Sequence, residues 1–132
     1  MTSVRRGVVM IVSSVLLSVP ATSAWPQEWK DVKNPKEIRA LLSNKTLSGL
    51  GADGRQATSY FRADGVGLKI VEGERIPRTW TVRDDGLYCV TEKDEYCLRV
   101  QQNTAKPSEI RATFESGLHE LEFHIDDGIP SF

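Results

Sequence analysis

The sequence predicts an all-β protein with one short N-terminal helix: about eight short antiparallel strands in a meander, forming a small closed or partly open barrel. Three observations carry that prediction. Short runs of alternating apolar and polar residues recur along the chain, each bounded by a turn signal. Asp-Gly steps recur at Gly54, Gly65, Gly86 and Gly128, where Gly takes positive φ without steric cost and Asp bonds its local backbone. The chain's two cysteines, Cys89 and Cys97, flank the segment Val90–Tyr96, which reads as the bend of a hairpin.

The N-terminal segment decides which residues belong to the fold. Arg5 and Arg6 precede an apolar run from Val8 to Val19, Pro20 ends it, and Thr22-Ser23-Ala24 offers small residues suited to signal peptidase. Residues 1–24 are therefore expected to be a cleavable signal peptide, with cleavage after Ala21 as the alternative. A helix of about twelve residues at ~1.5 Å each falls short of a hydrocarbon core of ~30 Å, so the run is not expected to anchor the chain in a membrane. The expected destination is the periplasm or the cell exterior.

Residues 1–24 carry two basic and no acidic side chains, so the trimmed chain has 15 basic against 18 acidic groups. That balance argues against nucleic acid and anionic membranes as partners. What is left suits one domain with a single core, small enough to gain from a disulfide.

Residues 25–33 form an extended leader carrying Trp25 and Trp29, which either pack over one end of the body or dock on a partner protein. Residues 34–44 read as a short helix. Asn34 is the N-cap, Pro35 the first helical residue and Glu37 the acid three after the cap. Ile38, Leu41 and Leu42 give it one apolar face, and a helix this short must dock on the body to persist.

Residues 45–132 hold the strands. Lys45–Leu50 precedes a Gly51–Gly54 turn, and Gln56–Arg62 alternates Ala57, Ser59 and Phe61 against Thr58 and Tyr60. Val66–Val71 leads to a charged bend at Glu72-Gly73-Glu74, and Thr79–Arg83 runs into Asp84-Asp85-Gly86. Leu87–Thr91 and Glu95–Gln101 form the cysteine hairpin; Glu109–Phe114 and Leu118–Ile125 follow.

Register can be taken further at two hairpins. With Glu92-Lys93-Asp94 as a three-residue loop, Cys89 sits directly opposite Cys97, at a separation a disulfide accepts. Tyr88, Val90, Tyr96, Leu98 and Val100 then share the apolar, inward face, and the cysteines the outer face, with the helix as a candidate cover. With Asp84-Asp85-Gly86 as a turn ending in a glycine bulge, Val82 faces Tyr88 and Trp80 faces Val90, which puts all the large residues on one side. A one-residue slip would move Trp80 and Val82 to the cysteine face.

The run from Trp80-Thr81-Val82 through Leu87-Tyr88-Cys89 to Cys97-Leu98-Arg99-Val100 resembles a pattern of small exported bacterial proteins. So do Lys45-Thr46-Leu47-Ser48-Gly49 and Tyr60-Phe61-Arg62-Ala63-Asp64-Gly65. Over roughly residues 36–101 the chain is similar to an alphaproteobacterial periplasmic family of domains of unknown function, with a Trp-x-Val strand and a Leu-x-Cys … Cys hairpin. The resemblance implies a fold and a compartment and transfers no catalytic motif.

Catalytic constellations are scarce. Paired cysteines leave no free thiol for a Cys–His nucleophile. His119 and His124 fall on opposite faces of a regular strand and would not share a metal. The Asp-Gly turns lack the ligand spacing of an EF-hand, and no phosphate-binding glycine loop or Gly-x-Ser-x-Gly elbow occurs. No cofactor, metal or catalytic residue is assigned. The leading expectation is a non-enzymatic barrel binding a small apolar ligand or an envelope protein, with Tyr60, Trp80, Tyr88 and Tyr96 lining the interior. The alternative is an inhibitor of an exported enzyme that acts through the Trp25–Lys30 tail; an enzyme with an unrecognised site is the third class.

Overall fold

A computed structural model describes residues 28–132. The expected signal peptide and Trp25 lie outside the described residues. The described chain runs β1 (Trp29–Val32), α1 (Pro35–Leu42), β2 (Lys45–Leu50), β3 (Gln56–Phe61), β4 (Val66–Val71), β5 (Glu74–Val82), β6 (Tyr88–Thr91), β7 (Glu95–Asn103), β8 (Glu109–Phe114) and β9 (Glu120–Asp127). Strands β2 to β9 pair each with the next, and β9 returns to pair antiparallel with β2. The result is an eight-stranded antiparallel barrel, with β1 as a ninth strand added to β7.

Turn chemistry sets the register where the sequence said it would. Val82 faces Tyr88, Trp80 faces Val90, Cys89 faces Cys97 and Val90 faces Tyr96. Gly86 sits at φ 89°, and a Cβ there would also collide with the Lys33 carbonyl, because the end of β1 packs onto this turn. Alternation then fills the interior. Leu47, Phe61, Trp80, Val82, Tyr88, Val90, Leu98, Val100, Ile110, Ala112 and Ile125 form one buried cluster.

The helix plugs one end. Asn34 caps it, its side-chain oxygen accepting from the amides of Lys36 (2.9 Å) and Glu37 (3.3 Å). Ile38 and Leu42 are wholly buried and join the same cluster as Phe61 and Trp80. Of the expected apolar face, Leu41 is only partly buried. The helix therefore does not cover the disulfide. Cys89 and Cys97, bonded with Cα atoms 4.0 Å apart, form a separate outer cluster with Leu87.

Several strand boundaries depart from expectation, most of all at β1, β5 and β9, the last running Glu120–Asp127 instead of Leu118–Ile125. The leader supplies β1, whose residues Trp29 to Val32 face Asn103 to Val100 where β7 runs on past the start of β6. Strand β5 begins at Glu74, at the edge of the expected charged bend, and runs through Pro77, whereas the expected strand began at Thr79. Proline is tolerated because β6 pairs with β5 only over Thr79–Val82, so Pro77 has β4 on one side and no strand partner on the other.

Candidate functional site

The end of the barrel opposite the helix is open. The β2–β3, β4–β5, β6–β7 and β8–β9 turns gather there around an interior cavity of about 420 Å³. Its two sides differ. On β2, β7, β8 and β9 the lining is apolar: Leu47, Leu98, Phe114, Leu121 and Phe123. Space for these rings comes partly from Gly49, which faces inward with the Phe123 ring lying over it. On β4, β5 and the β6–β7 hairpin, beside Val71 and Val90, the lining carries the polar groups Lys69, Arg78, Glu92 and Tyr96.

These four side chains form one connected group. Arg78 is nearly buried, with 6 % of its side chain exposed, and its Nη1 donates to Tyr96 Oη (3.0 Å) and Glu92 Oε2 (3.3 Å). Lys69 Nζ lies 3.2 Å from the same carboxylate oxygen. Partial burial pushes the Glu92 carboxyl up, but the hydrogen bonds and charges of Lys69 and then Arg78 outweigh it and hold the group below its usual value. Burial raises the Tyr96 and Tyr88 phenols despite the nearby Arg78 charge, so both stay protonated at neutral pH. The Arg78 guanidinium also stands 5.7 Å from the centre of the Phe61 ring. Its Nε–H is buried and has no hydrogen-bond partner among the described residues.

The sequence-assigned lining residues separate. Tyr88 and Tyr96 line the cavity. Trp80 is buried at the closed end instead, packed edge-on against Phe61 with its indole N–H donating to the Arg62 carbonyl (2.8 Å), and it does not reach the cavity. Tyr60 corrects the expectation outright. It stands on the outer face of β3, opposite in alternation to Ala57, Ser59 and Phe61, and stacks on Phe132 at 5.9 Å. Trp29 is engaged within the chain, its ring 4.0 Å beneath the Arg111 guanidinium.

Lys69 and Arg78 are what sequence reasoning missed. Alternation through Ile76, Arg78, Trp80 and Val82 would have put Arg78 on the inward face, had Pro77 not interrupted the strand pattern. Lys69 faces inward between Gly67 and Val71, across from Ser59.

Outside the cavity, His124 on β9 bonds Glu109 (2.7 Å) and Asp126 (3.2 Å), and the Glu109 hydrogen bond is the main cause of its raised pKa. His119 lies in the β8–β9 turn, edge-on to Phe114. The expected strand held both histidines, but β9 starts only at Glu120, so His119 falls in the turn before it. Glu95 lies beside the disulfide, but both sulfurs are spent on each other, which leaves no thiolate for a metal. Among the described residues no helix is long and apolar enough to cross a membrane.

Comparison with family models, with curated proteins and with solved structures gives no match, so what this barrel does must be read from its own residues.

Proposed function

We propose that the chain is an exported, non-enzymatic barrel that holds a small apolar ligand in its interior. The observation that carries this reading is the cavity itself: about 420 Å³, plugged at one end by α1, open at the other and lined mainly by apolar side chains. Eight-stranded barrels can fill their interiors completely with side chains; this one keeps a space within the ~300–1,000 Å³ range of small-molecule sites. Export is supported by the N-terminal apolar run and by the disulfide, which persists in oxidising compartments. A non-catalytic role is supported by the placement of the ionisable lining, with Lys69, Arg78, Glu92 and Tyr96 bonded among themselves and Asp53 to Arg55, and of both histidines, which lie off the cavity. The alternative of a docking tail loses Trp29 to its contact with Arg111.

The test is binding of a neutral apolar fluorophore, N-phenyl-1-naphthylamine, to the mature protein. Saturable enhancement at one equivalent is expected, and Ser59→Phe, which fills the cavity from β3, should abolish it with the fold intact by circular dichroism. Absence of saturable binding in the wild type would overturn the reading.

A further inference from the structure

An apolar cavity alone has no reason to contain a buried guanidinium. Taking Arg78 out of water costs several kcal/mol unless its charge and donors are satisfied. The surroundings satisfy it incompletely. One carboxylate, Glu92, is shared between two cations, Lys69 and Arg78. The other acid in the lining, Asp53, is held by Arg55 at 2.8 Å, and Arg55 in turn bonds Glu72, so Asp53 belongs to a surface chain of charges at the rim. The interior group therefore carries one positive charge in excess. It also carries spare donors: of five guanidinium N–H groups, Arg78 commits those of Nη1, those of Nη2 have no partner among the described residues, and its Nε–H is buried without one. Tyr88, whose phenol stays protonated, lines the same space.

Charge, donors and apolar surface are arranged by side. Lys69 on β4 and Arg78 on β5 stand across the barrel from Phe114 on β8 and Leu121 and Phe123 on β9; Tyr96 and Leu98, both on β7, lie between, the Tyr96 ring 5.5 Å from that of Phe114. A ligand that satisfies both walls has an anionic head and an apolar body. At ~30 Å³ per heavy atom the space takes a molecule of roughly a dozen such atoms. The charge excess is one unit, and a planar guanidinium matches a carboxylate in fork geometry.

Resting on the reading of the barrel as a small-molecule carrier, we propose that its ligand is a monocarboxylate with an apolar body of about ten carbons. The carboxylate is bound by Arg78 and Lys69, with Glu92 and Tyr96 holding those two side chains in place. The body lies against the β8–β9 wall. Arg78 selects the ligand by charge; the opposite wall selects it by length.

The test compares sodium decanoate, 1-decanol and decyl phosphate as displacers of N-phenyl-1-naphthylamine from the mature protein, at fixed ionic strength and pH 7.5. A charge-assisted contact of ordinary strength predicts that decanoate displaces the dye at a concentration about ten- to a hundredfold lower than decanol. Lys69→Gln, at a side chain about one quarter exposed and so tolerant of change, should shrink that preference severalfold. Arg78→Met should remove it. If the dye itself fails to bind, the carrier reading falls. If the dye binds but decanoate and decanol compete equally, the barrel remains a carrier and the carboxylate site is refuted. Stronger competition by decyl phosphate than by decanoate would refute the monocarboxylate assignment.

Discussion

Reduction of the Cys89–Cys97 bond should weaken the barrel measurably without unfolding it. The bond closes a loop with a sequence separation of 8, between residues that face each other in a hairpin whose register its three-residue turn already fixes. The native state therefore gains little order from the cross-link, and the effect falls on the unfolded chain. Chain-entropy scaling for a loop this short gives about 2.5 kcal/mol. With a urea slope of about 1.5 kcal/mol/M, the unfolding midpoint should fall by about 1.7 M, and the melting temperature by about 10 °C. The assay is equilibrium urea unfolding followed by tryptophan fluorescence, with and without a phosphine reductant. Reduction keeps both sulfur atoms in the outer cluster with Leu87, so no cavity term is added. Because that cluster is separate from the interior core, N-phenyl-1-naphthylamine should bind the reduced protein as tightly as the oxidised one below the transition. An unchanged midpoint would refute the entropic account. Loss of a cooperative transition would show instead that the bond holds the hairpin together in the native state.

Three further outcomes are expected. Asn34→Ala removes the acceptor for the Lys36 and Glu37 amides and should cost about 1 kcal/mol in chemical unfolding, with Asn34→Asp near wild type. Gly49→Ala places a Cβ against the Glu122 carbonyl oxygen and 2.9 Å from the Phe123 ring, so β2 and β9 must part; a loss of about 1–3 kcal/mol is expected, with faster amide exchange along β9. His124 has a raised pKa in the folded protein, so its contribution is complete below the unfolded value of about 6.5 and is lost as pH rises through the folded value. Wild type should therefore lose more thermal stability than His124→Gln between pH 6 and pH 9, and an NMR titration should place the imidazole above the ordinary histidine value.

The Asp84-Asp85-Gly86 turn and the cysteine hairpin were legible because two independent signals agree there. Turn chemistry fixes the loop length, and only that length puts Trp80, Val82, Tyr88, Val90, Tyr96 and Leu98 on one face. Tyr60 shows what happens when size is read against alternation. Its neighbours Ala57, Ser59 and Phe61 already occupied the inward positions, and Phe132, distant in sequence, supplies the outer-face partner that made burial unnecessary. Arg78 was hidden by Pro77, since a proline reads as the end of a strand unless the neighbouring strand is known to stop short. The end of the barrel that α1 closes was not legible at all. An amphipathic helix states that it must bury Ile38 and Leu42, and the surface that receives them is assembled from Phe61, Trp80 and other residues far apart in the chain.

The positions of the described chain ends have a practical consequence. Glu28 is fixed beside Thr104 past the end of β7, and Phe132 is held by Arg62 just past the end of β3. Both lie toward the plugged end, while the rim turns stand at the other. A fluorescent fusion or an immobilising tag joined at either point would leave the entrance unobstructed. The barrel could thus be mounted on a sensor chip with its openings facing the flowing sample.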